Sequence, residues 1–106
     1  MKLVYLAGPY RADTLYGTYQ NIRKAEAKAV ELWKEGWVVL CPHLNTQLFE
    51  VMMESAHEIC MAGGLEMLKR CDAIYMMSGY KSSPGSLVEL KVAKKERLEI
   101  IYEEEK

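Results

Sequence analysis

Long hydrophobic runs are missing from this chain of 106 residues. The longest, Trp37 to Cys41 and Leu3 to Ala7, fall far short of the roughly 20 apolar residues that span a bilayer, so no membrane partner is expected. Met1-Lys2 leads straight into a strand-like run, without the extended apolar stretch and small-residue cleavage site of a secretory signal, which points to the cytoplasm. An excess of one charge is missing too: 14 Lys and Arg stand against 15 Asp and Glu, a formal net charge of -1. Without a basic surplus, the counterion release that drives nucleic-acid binding has no evident source, and nucleic acid is not an expected partner. Cysteine is scarce. Cys41, Cys60 and Cys71 are odd in number and lack C-x-x-C spacing, which fits reduced, buried thiols better than a disulfide framework. Internal repeats, low-complexity tracts and the G-x-G-x-x-G dinucleotide fingerprint do not occur.

What is present is a globular balance, 50% apolar and 27% charged residues, enough for one domain over residues 1–106 that folds alone. Lys2 to Ala7 reads as a buried first strand halted by Gly8-Pro9, with a loop to about Thr18. Ile22, Ala25, Ala29, Leu32 and Trp33 recur at helical spacing, and Gly36 follows as a C-cap. Trp37 to Cys41 reads as a second buried strand stopped by Pro42. Leu48, Met52, Ala56 and Ile59 keep one helical face, Gly63-Gly64 interrupt it, and Leu65 and Leu68 resume it. Two helices, or one broken at the glycines, are expected there. Asp72 to Met77 reads as a third strand. Ser83-Pro84 opens a helix as N-cap and first residue, with Lys91, Lys94, Lys95 and Arg97 at its far end. Leu98 to Tyr102 reads as a fourth strand, and 103–106 as a fraying end. Alternation in this order implies right-handed βαβ units. The expected fold is α/β, a three-layer doubly wound domain of the flavodoxin or Rossmann-like kind with a four- to five-stranded parallel sheet.

Ligands of open parallel sheets bind beyond the carboxyl ends of the strands. Ala7 to Arg11, Pro42 to Asn45 and Ser78 to Ser83 fall on that edge, whereas Asp72 falls on the opposite one and reads as structural. The helix start at Ser83 offers backbone N–H groups to an anion, and Gly85 permits close approach, a cradle for phosphate or sugar. Glu89, six residues after the cap, can be held partly buried beneath such a ligand; on spacing alone it reads equally as a surface glutamate near a helix N-terminus. Tyr10 can stack on a base and Arg11 reach a phosphate, or both can be ordinary residues after a Gly-Pro turn. Cys41, His43, His57 and Cys60 match no zinc signature, so neither metal nor cofactor is expected. Met52, Met53 and Met61 read as core or as an adaptable interface between copies of the chain.

Taken together, the residues resemble the nucleoside 2-deoxyribosyltransferase-like superfamily, in its compact branch. The resemblance rests on Tyr5-Leu-Ala-Gly8-Pro9-Tyr10-Arg11, Asn21 to Ala25, Gly36 through Pro42-His43-Leu44, Leu65 to Ala73, and Ser83-x-Gly85-x-x-x-Glu89-x-x-x-Ala93. It implies cleavage or transfer at the N-glycosidic bond of a 2′-deoxynucleoside or its 5′-monophosphate, with Glu89 as the nucleophile that forms a covalent glycosyl intermediate. Tyr5, Gly8, Pro9, Tyr10, Arg11, Ser83 and Gly85 would frame the nucleoside or nucleotide, and a homo-oligomer is implied. A binding module without turnover, or an oligomer subunit, is the alternative. Gly64 stands where the family often has an aspartate that handles the base. Restoring an aspartate there is expected to raise base release, and His43, with a pKa suited to proton transfer, is the substitute acid.

Overall fold

The computed structural model describes residues 1–103. Strand β1 (Leu3–Ala7) leads to helix α1 (Leu15–Lys34), then β2 (Val38–Leu40) and a single helical turn, α2 (Pro42–Asn45). A 3-10 turn at Phe49–Val51 precedes α3 (Ala56–Leu68), β3 (Ala73–Met76), a second such turn at Tyr80–Ser82, α4 (Pro84–Lys95) and β4 (Glu99–Tyr102). The four strands form one sheet in the order β2-β1-β3-β4, every pairing parallel. The doubly wound fold read from the sequence is therefore correct, with four strands.

The strands alternate their side chains between two cores. Val4 and Leu6 pack with Ala25, Ala29 and Leu32 of α1 on one face. Tyr5, Ala7, Ile74 and Met76 pack with Leu68 of α3 and with Leu90 and Ala93 of α4 on the other. This is the period-2 alternation of a sheet covered on both sides. Strand order reverses between β1 and β3, so the chain leaves their carboxyl ends toward opposite faces of the sheet, to α1 and to α4, and a crevice opens between.

Local chemistry explains most element ends. The Thr14 hydroxyl caps α1 by accepting the Gly17 N–H at 3.0 Å, four residues before the expected start near Thr18. Gly36, at φ +101°, follows the end of α1 in the left-handed region that glycine tolerates. Ser83 caps α4, accepting from the Ser86 N–H, and Pro84 occupies the first helical position.

Four expectations are corrected. Gly63 and Gly64 do not break a helix, since α3 runs through both; the interruption lies earlier, where Leu48 and Ser55 hold φ +60° and +55° on either side of the 49–54 segment. Strand β2 is a half-buried edge strand rather than a buried one. Met52 is 87% exposed and belongs to no core. Glu103 is not frayed: its carboxylate accepts the Ser78 N–H at 2.7 Å and meets Lys28 Nζ at 3.1 Å, while the rest of the tail, 104–106, lies outside the described residues.

Asp72 sits at the amino end of β3, away from the crevice, and its Oδ2 accepts the Leu3 N–H at 2.8 Å. A backbone donor to a charged acceptor contributes about 1.5–3 kcal/mol. Asp72→Ala is expected to lower the melting temperature by roughly 6–24 °C, given about 4–8 °C per kcal/mol for a domain of this size, and to leave ligand binding at the far edge unchanged. Thermal denaturation of the two proteins checks the first statement, and titration with a ligand the second.

Candidate functional site

The floor of the crevice is a buried pair. Tyr5 projects from the middle of β1 onto the α3/α4 face with 1% of its surface exposed, and Glu89 comes from the second turn of α4 with 9% exposed. The Tyr5 hydroxyl donates a short hydrogen bond to Glu89 Oε2. Loss of water pushes the Glu89 carboxyl up to about 7 from its ordinary 4.5, a rise only partly offset by the Tyr5 hydrogen bond. Tyr5 is driven upward, first by burial and then by the carboxylate beside it, so it keeps its proton and remains a donor. Gly64 of α3 makes the pair possible: a Cβ on it would lie 3.0 Å from Tyr5 Oη.

One wall is the start of α4. The Ser86 hydroxyl donates to Ser83 Oγ at 2.9 Å, and Ser86 N–H also reaches Ser83 Oγ. Pro84 has no N–H, and by its position the N–H of Gly85 lacks a carbonyl partner within the helix. The other wall is the loop after β1. Gly8 is required there because a Cβ would fall 2.9 Å from the Met77 side chain, where the ends of β1 and β3 pass. His43, the second residue of α2, is buried with Nε2 2.8 Å from the Pro9 carbonyl. A carbonyl only accepts, so Nε2 carries the proton. Burial lowers the His43 pKa, and the ring is neutral.

Tyr10 stands edge-on to His43, ring centres 5.5 Å apart. Its hydroxyl accepts the Leu48 N–H at 2.8 Å and donates to the Glu50 carboxylate, whose oxygens lie at 2.9 and 3.0 Å. Its backbone carbonyl accepts from Asn21 Nδ2 at 3.0 Å.

Between the walls lies a cavity of about 410 Å³, within the range of small-molecule sites. All nine residues singled out from the sequence line it: Tyr5, Gly8, Pro9, Tyr10, Arg11, His43, Ser83, Gly85 and Glu89. It also contains Phe49 and Glu50, which the sequence reading placed on an ordinary helix. The helical spacing of Leu48, Met52, Ala56 and Ile59 hid them, and no residue signal in the sequence set the stretch apart. Of the cysteine and histidine residues weighed for metal, His43, His57 and Cys60 line the cavity, whereas Cys41 precedes α2 as its N-cap. Among the described residues, no three His, Cys, Asp or Glu gather as ligands for one ion. No helix among them is long and apolar enough to cross a membrane.

The family model described as a domain of unknown function, DUF4406, matches residues 2–102, and the chain belongs to that family. Among solved structures, it superposes on the 2-deoxyribosyltransferase from the psychrotolerant bacterium Bacillus psychrosaccharolyticus with a TM-score of 0.65. The two are 20% identical, over 94% of this chain and 70% of that one, and the likeness establishes the fold. No curated protein matches the chain in sequence. The fold expected from the resemblance to the nucleoside 2-deoxyribosyltransferase-like superfamily is therefore present.

Two outcomes follow from the floor. A carboxyl whose pKa is raised on folding binds its proton more tightly in the native state, so it favours folding most below pH 4.5 and that contribution is lost as pH rises through 7. Glu89→Gln, which carries no charge to bury, is expected to be more stable than the parent by about 3 kcal/mol at pH 8, at 1.36 kcal/mol per pKa unit. The advantage should close by pH 4.5. Urea unfolding of both proteins across that range measures it, and an advantage independent of pH would sink the account. Gly64→Asp, expected from sequence to help, is now expected to harm: its Cβ alone crowds Tyr5 Oη and its carboxylate adds a like charge beside Glu89. A lower melting temperature, with circular dichroism at room temperature unchanged, is the outcome to look for.

Proposed function

We propose, with membership of the DUF4406 family and the 2-deoxyribosyltransferase fold as the premise, that this protein cleaves or exchanges the N-glycosidic bond of a 2′-deoxynucleoside or its 5′-monophosphate. The observation that carries this reading is the Glu89 carboxylate on the cavity floor, poised by burial to ionise near neutral pH and held by one oxygen to Tyr5. Oε1 is left to attack C1′ of the sugar. The C1′–N bond breaks, the base leaves with the bonding pair and takes up a proton, and an ester joins C1′ to Glu89. Water or a second base then attacks C1′ from the vacated side and the carboxylate departs with its electron pair, so two displacements preserve configuration. A base that attacks regenerates a nucleoside; water gives the free sugar.

Tyr5 fixes the attacking carboxylate and, by giving its hydrogen bond to Oε2, stabilises it as it becomes the leaving group of the second step. Gly85 N–H and the Ser83 hydroxyl face a 5′-hydroxyl or phosphate, with Arg11 from the opposite wall. His43 suits positioning better than the proton transfer expected of it. Its single ring proton is committed to the Pro9 carbonyl, and a neutral imidazole gives none away easily.

The setting of His43 favours a second reading, a nucleotide-binding module without turnover, because the acid expected from the sequence keeps its proton on the Pro9 carbonyl. In either case three free thiols suit a reducing cytoplasm. A homo-oligomer is supported by the exposed apolar residues Val51, Met52, Ile59, Leu87 and Val88.

Glu89→Gln tests the reading. Replacing a nucleophile by its neutral isostere is expected to lower base release by roughly a thousandfold or more, about 4 kcal/mol of barrier, while affinity for the nucleoside changes little. Base release followed by chromatography and binding followed by calorimetry are run on both proteins. Near-parental release by the variant removes Glu89 from the chemistry; tight binding with no release by either protein leaves the binding module.

A further inference from the structure

One polar group of the cavity has no part in the reaction as drawn. Glu50, on the 3-10 turn after α2, and Glu89 are the two carboxylates among the lining residues. They differ in setting: Glu89 is buried at the floor, whereas Glu50 is exposed at the rim. Tyr10 Oη holds Glu50 from one side through its one proton, shared between the two oxygens at 2.9 and 3.0 Å. An ionised carboxylate offers about four lone-pair sites, so most of its accepting capacity is unused. Among the described residues, no lysine or arginine pairs with Glu50, and Arg11, on the same cavity wall, is paired with no acid. The rings of Phe49, its neighbour in the chain, and of Tyr10, its hydrogen-bond partner, line the cavity as well. Flat apolar faces next to a carboxylate with spare lone pairs suit a heterocycle that carries N–H donors on its edge.

We propose that Glu50 chooses among nucleobases by accepting a hydrogen bond from an exocyclic amino group, so that cytosine and adenine are preferred to their oxo counterparts, uracil and hypoxanthine. The inference rests on the nucleoside reading of the cavity given above. An amino group meets the carboxylate with a donor; an oxo group in the same place sets lone pair against lone pair and leaves Glu50 unpaired. Polar mismatch of this kind discriminates far more strongly than a lost apolar contact. Tyr10 is a positioning residue, which keeps the carboxylate turned to the base.

The test compares deoxycytidine with deoxyuridine, which differ at the group in question. Kcat/KM from base release and Kd from calorimetry are measured for the parent, Glu50→Ala, Glu50→Gln and Tyr10→Phe, with Kd also measured on Glu89→Gln. The parent is expected to favour deoxycytidine by about tenfold or more, the effect of a hydrogen bond to a charged group. Glu50→Ala should bring the ratio to within about twofold, losing on deoxycytidine and gaining on deoxyuridine, since an absent acceptor neither attracts the amine nor repels the carbonyl. Glu50→Gln, able to turn its own N–H₂ to the carbonyl, should move the ratio toward deoxyuridine. Tyr10→Phe should lower the ratio part of the way, since the carboxylate loses the hydroxyl that turns it to the base. A parental ratio near one, or an equal loss on both nucleosides in Glu50→Ala, overturns the proposal. The two readings fail separately: a binding preference that depends on Glu50 in a protein that releases no base keeps this inference and ends the catalytic one. Turnover without preference does the reverse, and failure to bind either nucleoside ends both.

Discussion

Everything at the crevice is arranged around the burial of one carboxylate. Taking Glu89 out of water disfavours its charged form, and a single hydroxyl, Tyr5, compensates only in part. The pair imposes conditions on three elements at once. Strand β1 must turn Tyr5 toward α3 and α4, α3 must carry glycine at 64 to clear the hydroxyl, and α4 must begin where Ser83 and Pro84 start it so that Glu89 falls in its second turn. A shift of one residue in the start of α4 would turn position 89 by about 100° and take the carboxylate off the floor.

The sheet order then decides what surrounds that carboxylate. With β1 central and its crossovers running to both sides, the loop after β1, the turn after β2 and the start of α4 converge on one edge. Each contributes a different kind of group: a backbone turn with an arginine, a neutral histidine that locks the turn, and a helix start with a free amide. At the rim, the 3-10 turn at Phe49–Val51 adds the second carboxylate. Depth thus separates the two acids. Burial makes Glu89 a group whose charge is conditional, whereas exposure leaves Glu50 a plain acceptor.

Much of this was legible in the sequence because it depends on local rules. Short β-branched runs ended by Gly8-Pro9 or Pro42 marked strands, the Ser83-Pro84 pair marked a helix start, and the edge rule set Asp72 apart from the ligand side. What escaped was set by tertiary packing. Gly63-Gly64 looked like a break because glycine weakens an isolated helix; inside the fold, α3 is held against the sheet by Leu68, and Gly64 is needed for closeness rather than for freedom. The segment around Glu50 kept enough apolar spacing to imitate a helix, yet the left-handed residues Leu48 and Ser55 cut it short. Glu103 looked like a loose end because nothing in its neighbourhood announces Ser78 or Lys28 as partners.

The contact between Tyr5 and Glu89 joins positions 84 apart in the chain, and that separation bears on how the molecule is born. At about 5–20 residues per second, Tyr5 is synthesised on the order of 4–17 s before the residue it must hold. For most of that interval β3 (Ala73–Met76) has not yet been made, so one edge of the central strand waits unpaired. The protein consequently has no half-built version of its cavity: the floor closes with the docking of α4, late in synthesis, when the sheet beneath it is already being completed.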